Sequence, residues 1–250
     1  MSTGLAGKVV VVTGGAAGIG RAIAEAFLQA GSRVAVTDIR GATEAATALG
    51  AHAMGVVMDV SEPAQVRAGL DAVAARLGGI DVLVNNAGLF GPLGFSPLDA
   101  ITPAELQRVF AVNVFGTLYC TQAVLPHMRK RGGGSVVNMA SNTPFRGTPM
   151  MSHYVASKGA VVAFTKAAAR ELGADRIRVN AVAPGFTLSD AVIANPAKID
   201  RVGERARNER TLARDQLPQD IVGPVLFLAG KASGFMTGQT LLVDGGVHFS

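Results

Sequence analysis

The sequence has no tryptophan, two tyrosines and one cysteine, and charged residues make up only 16% of its 250 positions. A lone cysteine, Cys120, forbids an internal disulfide, so nothing points to an oxidising compartment. Placed in an apolar helical stretch, it reads as a buried thiol rather than a nucleophile. Long apolar runs are missing too: none reaches the roughly 18 residues of a membrane span. The run of valines at 9–12 is too short for a signal-peptide core and leads straight into glycines. A cytoplasmic protein with no membrane partner is the expectation. The four histidines, His52, His127, His153 and His248, show neither ligand spacing nor a cysteine partner, so no metal is expected. Neighbouring positions on a helix point about 100° apart, so His153 reads as a helix-surface or interface residue rather than a proton donor. The basic excess, 23 Lys+Arg against 18 Asp+Glu, is small and spread out. Its densest run, Arg129–Arg131, suits the negative end of a helix, so no nucleic-acid partner is expected.

What is present is an alternation. Short β-branched runs at 8–13, 33–38, 53–59, 80–85, 135–141, 177–184 and 240–246 read as strands. Being apolar almost throughout, they belong in a sheet covered on both faces. Helical patterns fill the gaps, and "TPAE" opens one of them with Thr102 as cap, Pro103 in the first position and Glu105 closing a capping box. The pattern predicts an α/β fold: one doubly wound, Rossmann-like domain spanning 1–250, with about seven mostly parallel strands flanked by helices. Residues 186–217 break the rhythm with six basic and five acidic side chains. Near-balanced charge, with Arg205 and Glu209 at i,i+4, predicts a solvated helix pair. The functional reading of the same charges is an anion-binding lid, and an insertion at the carboxyl ends of strands is placed to serve as a substrate lid.

The first strand ends in "TGGAAGIG", with Gly14, Gly18 and Gly20 leading into a helix. Glycines allow a sharp turn and close approach of a pyrophosphate at the positive helix end; a ligand-free βα turn would look the same in isolation. Asp38 ends the second strand, eighteen residues beyond Gly20. A carboxylate there accepts hydrogen bonds from a ribose and repels a 2′-phosphate, which favours NAD over NADP; the bland reading is a turn residue. "SHYVASK" places Tyr154 and Lys158 on one face of an Ala-rich helix, four residues apart.

Together "TGGAAGIG", "NNAG", Ser141 thirteen residues before Tyr154, "YVASK" and the ending "TGQTLLVDGG" resemble the short-chain dehydrogenase/reductase family over nearly the whole chain. The resemblance implies an NAD-dependent oxidoreductase that exchanges a hydride with a secondary alcohol or ketone. It implies Tyr154 as proton carrier, Lys158 as its electrostatic partner and holder of the nicotinamide ribose, and Ser141 as the hydroxyl that orients the substrate oxygen. Asn113 resembles the asparagine that anchors a water leading to Lys158. Gly14, Gly18, Ile19 and Gly20 would hold the pyrophosphate, Asp59 and Val60 the adenine, and Asn86, Ala87 and Gly88 would lie along the cofactor. Pro184, Gly185 and Thr187 resemble the segment that holds the carboxamide, although the family more often has an aliphatic residue at 187 and threonine at 189. The loops 89–98 and 142–151 carry Phe90, Phe95, Phe145, Met150 and Met151, with Arg146 the one charge, implying a largely apolar substrate. The resemblance also implies a homotetramer. A 3-oxoacyl thioester reductase and a non-catalytic dinucleotide-binding sensor are the rival readings; Asp38 disfavours the first, which usually employs NADPH, and an intact Ser141–Tyr154–Lys158 set the second.

Overall fold

The computed structural model describes residues 3–249; positions 1, 2 and 250 lie outside the described residues. The strands are β1 Val9–Thr13, β2 Arg33–Asp38, β3 Ala53–Val57, β4 Val82–Asn85, β5 Gly134–Met139, β6 Ile177–Pro184 and β7 Thr240–Val243. They form one sheet in the order β3-β2-β1-β4-β5-β6-β7, parallel at every pairing. The chain starts in the middle, winds outward to β3, then returns past β1 to wind the other way. That reversal between β1 and β4 opens a crevice at the carboxyl ends of the strands, the place where such sheets bind ligands.

The main helices are α1 Gly18–Gln29, α2 Ala42–Leu49, α3 Pro63–Leu77, α4 Pro103–Phe110, α5 Gly116–Lys130, α6 Thr143–Arg146 and α7 Ser152–Leu172. Short helices α8 Asp190–Ile193, α9 Pro196–Lys198 and α10 Glu204–Asn208 fill the 186–217 segment, and α11 Gln219–Ala229 follows. The valine run of β1 shows why both sheet faces need cover. Val9 and Val11 pack with α3, α5 and α7, while Val10 and Val12 pack with α1 and α11, and all four are fully buried. Each buried valine contributes about 1.5–3 kcal/mol.

Three local expectations change. Thr102 caps α4 by accepting the Glu105 amide at 3.2 Å. The capping box is only half built, because the Glu105 carboxylate lies 3.6 Å from His153 on α7. His153 is therefore buried between α4 and α7, not on a surface. Finally, the continuous helical stretch Pro103–Lys130 is long and apolar enough, by length and composition, to cross a membrane. Its polar residues interrupt any uninterrupted apolar run, which hid this from the sequence. In this fold its Cys120, Val124 and Met128 pack against α3 and the sheet, and burial pushes the Cys120 thiol up to about 12.

Candidate active site

The crevice above β1 and β4 is a cavity of about 540 Å³. At one end the glycine loop turns from β1 into α1 with no room for side chains. A Cβ on Gly20 would stand 2.1 Å from the Gly14 carbonyl oxygen, and one on Gly14 would stand 2.9 Å from Ala87 Cα, with φ at +60°. The NNAG stretch staples this loop. The Asn86 amide donates to the carbonyls of Thr13 and Gly14, both at 2.9 Å, while Thr13 Oγ1 accepts the amides of Asn86 and Ala87 at 3.0 Å. Asn86 thus shapes the loop with its side chain; Ala87 and Gly88 line the cavity.

Asp38 stands at the end of β2 and accepts the Ala16 amide at 3.2 Å. Its other oxygen accepts the Arg40 amide at 3.4 Å. Asp59 lines the same end and accepts both the amide and hydroxyl of Ser61, at 2.8 and 2.7 Å through one oxygen, so Val60 follows in a fixed turn. These features fit a dinucleotide: a glycine-rich cradle at a helix N-terminus, with carboxylate oxygens placed to accept from hydroxyl or amine groups. Gly14, Gly18, Ile19, Asp38, Asp59 and Val60 all face the cavity.

At the far end, Ser141 follows β5 by two residues, and Tyr154 and Lys158 project from the first two turns of α7. Ser141 and Tyr154 both line this end of the cavity, and Ser141 Oγ accepts the Thr143 amide at 3.2 Å. Burial pushes the Tyr154 phenol up to about 12, with the neighbouring Ser141 hydroxyl pulling the other way. Lys158 Nζ donates to the Met139 carbonyl at 2.7 Å and lies 5.9 Å from the centre of the Tyr154 ring. Burial lowers the Lys158 ammonium to about 8. The resemblance has the Lys158 ammonium act together with a positively charged nicotinamide to favour the phenolate; from the protein's own groups alone, burial is the larger influence on the phenol.

Asn113 sits in a wide turn, Ala111–Phe115, joining α4 to α5, where the helix closes i→i+5 bonds. Its side chain is fully engaged: Oδ1 accepts the Leu89 amide at 2.7 Å, and Nδ2 donates to the Leu89 carbonyl at 3.3 Å and Ser157 Oγ at 3.0 Å. It does not face the cavity. Its amide instead fixes the strand exit at Gly88, where an added Cβ would meet Asn113 Oδ1 at 3.2 Å and Lys158 Nζ at 3.5 Å.

Pro184 ends β6, and Gly185 and Thr187 follow it along the cavity wall. The Thr187 hydroxyl donates back to the Gly185 carbonyl at 3.1 Å, and Thr187 pairs with Gln216 in an isolated bridge. Beyond it, the 186–217 segment docks on the loop after β4. Asn195 donates to the Gly91 carbonyl at 3.1 Å, and the Lys198 ammonium donates to the Phe90 carbonyl and lies 4.0 Å from the Phe90 ring centre. Lys198 and Arg210 are both buried, so the segment is not the fully solvated helix pair expected from its charge balance. Burial lowers Lys198 to about 8. Sequence reasoning also missed two contacts of this segment. Asp190 accepts the Gly18 amide at 2.8 Å, and Arg201, Arg205 and Glu209 face the cavity. Asp190 carried no local signal, and near-balanced charge with Arg205 and Glu209 at i,i+4 favoured solvent over the cavity for the others.

Residues 14–248 match the family model described as Enoyl-(Acyl carrier protein) reductase. The chain belongs to the short-chain dehydrogenase/reductase family. It is 38% identical over 254 residues to the sorbitol dehydrogenase of Cereibacter sphaeroides, covering 97% of this chain and 98% of that protein. It is 38% identical over 250 residues to the galactitol 2-dehydrogenase of Agrobacterium fabrum, covering 96% of each. A solved 3-ketoacyl-(acyl-carrier-protein) reductase from Brucella melitensis, complexed with NADH, superposes with a TM-score of 0.90 at 32% identity, covering 98% of this chain and all of that one. This short-chain dehydrogenase/reductase is thus an oxidoreductase acting on CH–OH groups with NAD(H) as cofactor.

Proposed function

We propose that this chain interconverts a secondary alcohol and its ketone, with a largely apolar substrate held against Ser141 and Tyr154. The observation that carries this reading is the meeting of buried Ser141, Tyr154 and Lys158 in the same cavity as Asp38 and the glycine loop. When bound, NAD supplies the hydride acceptor and a positively charged ring. Ser141 donates its hydroxyl hydrogen to the substrate oxygen and orients it. Tyr154 Oη takes the hydroxyl proton during oxidation and returns it during reduction. Because burial keeps the phenol protonated, the resting protein is set to donate a proton to a ketone, and alkaline pH favours the oxidising direction. Lys158 supplies positive charge next to the phenol. Asn113 acts through position, holding Leu89 and Ser157; since both its amide donors are engaged, any water leading to Lys158 would be held by main-chain groups. Pro184, Gly185 and Thr187 would support the carboxamide, Thr187 through its backbone.

Reduction of a 3-oxoacyl thioester is the second reading. Asp38 does not separate the two, since the similar Brucella reductase was solved with NADH. Assembly as a homotetramer is supported by the outward stripe Ala156, Ala160, Ala163 and Ala167 on α7, small residues that admit a close neighbour. We place the protein in the cytoplasm, with no nucleic-acid or membrane partner. The test is NADH formation across a panel of secondary alcohols, with a 3-hydroxyacyl thioester in parallel. Turnover of the thioester alone would select the second reading; tight NAD binding without turnover of either would select a dinucleotide sensor.

A further inference from the structure

The substrate end of the cavity has two unlike zones. Next to Tyr154 the wall is apolar: the Phe90 ring stands 5.0 Å from the Tyr154 ring and 6.4 Å from Phe186, with Phe95, Met150 and Met151 completing it. Further out the wall turns cationic, with Arg146, Arg201 and Arg205 against a single carboxylate, Glu209. Glu209 accepts from Arg146 and Arg205 at 2.6 Å each, and those two guanidiniums hold its carboxyl below the usual range despite its partial burial. One negative charge between two positive ones leaves an excess, and Arg201 adds to it. Among the described residues Arg201 makes no ion pair. Its side chain is exposed at the cavity rim, with the guanidinium carbon 4.4 Å from the centre of the Phe95 ring, so the cation rests over an aromatic face within reach of the cavity. Arg210, also on this wall, is already engaged with the carbonyls of Phe186 and Arg214.

This excess does not serve the dinucleotide, whose cradle is the glycine loop with Asp38 and Asp59 at the other end. Resting on the dehydrogenase reading above, we propose that the substrate is a secondary alcohol or ketone whose ring-sized apolar body ends in a carboxylate or similar anion, and that Arg201 is the residue that binds this anion. The apolar zone takes the body, Ser141 and Tyr154 take the reacting oxygen, and the guanidinium beyond Phe95 takes the charged end, where a planar fork can meet a carboxylate through two hydrogen bonds. Two hydroxyls on the same wall, Thr143 Oγ1 and Thr148 Oγ1, are buried without partners. They would suit a neutral polyol equally well, so a polyol belongs in the test.

The experiment compares 1-phenylethanol, 4-(1-hydroxyethyl)benzoate and galactitol as substrates with NAD, in the native protein and in Arg201→Gln and Arg201→Glu. We expect kcat/KM for the benzoate to exceed that for 1-phenylethanol by about 10-fold or more. Arg201→Gln should remove most of that ratio, and Arg201→Glu should bring it below one. Equal use of the two aromatic alcohols, a preference that survives Arg201→Glu, or preferred use of galactitol would each overturn the proposal. Calorimetric binding of 4-acetylbenzoate against acetophenone to the NADH-loaded protein reads the same preference without turnover. Carboxylate-selective, Arg201-dependent binding in a protein that turns over no alcohol would sink the dehydrogenase reading alone.

Discussion

Replacing Lys158 with methionine should make the cofactor-free protein more stable at neutral pH while destroying its activity. The ammonium is buried and has no carboxylate partner among the described residues; burial lowers it from 10.5 to about 8. Holding it charged at pH 7 therefore costs about 3 kcal/mol, at roughly 1.4 kcal/mol for each tenfold loss of proton affinity. Methionine removes that cost and has similar length, but it leaves the Met139 carbonyl without its 2.7 Å donor, a loss of about 1 kcal/mol. The net gain of about 2 kcal/mol corresponds to a rise in Tm of roughly 4–8 °C for a chain of this size. The gain should shrink with pH. Between about 8 and 10.5 the unfolded chain binds the Lys158 proton more tightly than the folded one, so the native protein gains stability relative to the variant as pH rises through that window. Tyr154 works in the opposite sense, since its phenol is raised in the folded state and its contribution is lost only above about 10. It is present in both proteins and cancels below that pH. Thermal unfolding of both proteins at one chain concentration, at pH 7 and pH 9.5, is the assay. A variant less stable at pH 7, or a gap that does not change with pH, would refute the reasoning.

Asp190→Ala should tighten NAD binding by about 2–5-fold in calorimetry, because this exposed carboxylate now occupies the Gly18 amide at the start of α1, where a pyrophosphate would compete for the same donor; weaker binding would show that Asp190 helps hold the cofactor. Asp38→Ala should weaken NAD by about 10–100-fold, the loss expected for hydrogen bonds to a charged acceptor, while NADP binding holds or improves. An unchanged preference between the two would remove Asp38 from the specificity argument.

The sheet was legible because each strand is a short β-branched run bounded by turns, and the runs at 33–38 and 177–184 match β2 and β6 end to end. The strands after 53, 80 and 135 are shorter than their apolar runs suggest: Met58, Ile80 and Ala140 are buried outside the sheet ladder, beside the cavity or under the helices. Tyr154, Lys158 and Ser141 were legible from spacing on one helix and one strand end. The wall that faces them was not. Glu209 pairs with both Arg205, its helical neighbour, and Arg146, sixty-three positions away, and only the neighbour shows in a local pattern. Lys198 looked solvated because its partner is a backbone carbonyl, Phe90, which carries no mark in the sequence.

The central claim is that Tyr154 Oη carries the proton in an NAD-dependent exchange at a CH–OH group. The most direct test is Tyr154→Phe, which removes one oxygen from a buried ring that keeps its packing against Phe90. With a secondary alcohol that the native protein oxidises, we expect kcat to fall by about 10³-fold or more while the Kd for NAD changes little. Retained turnover would contradict the account.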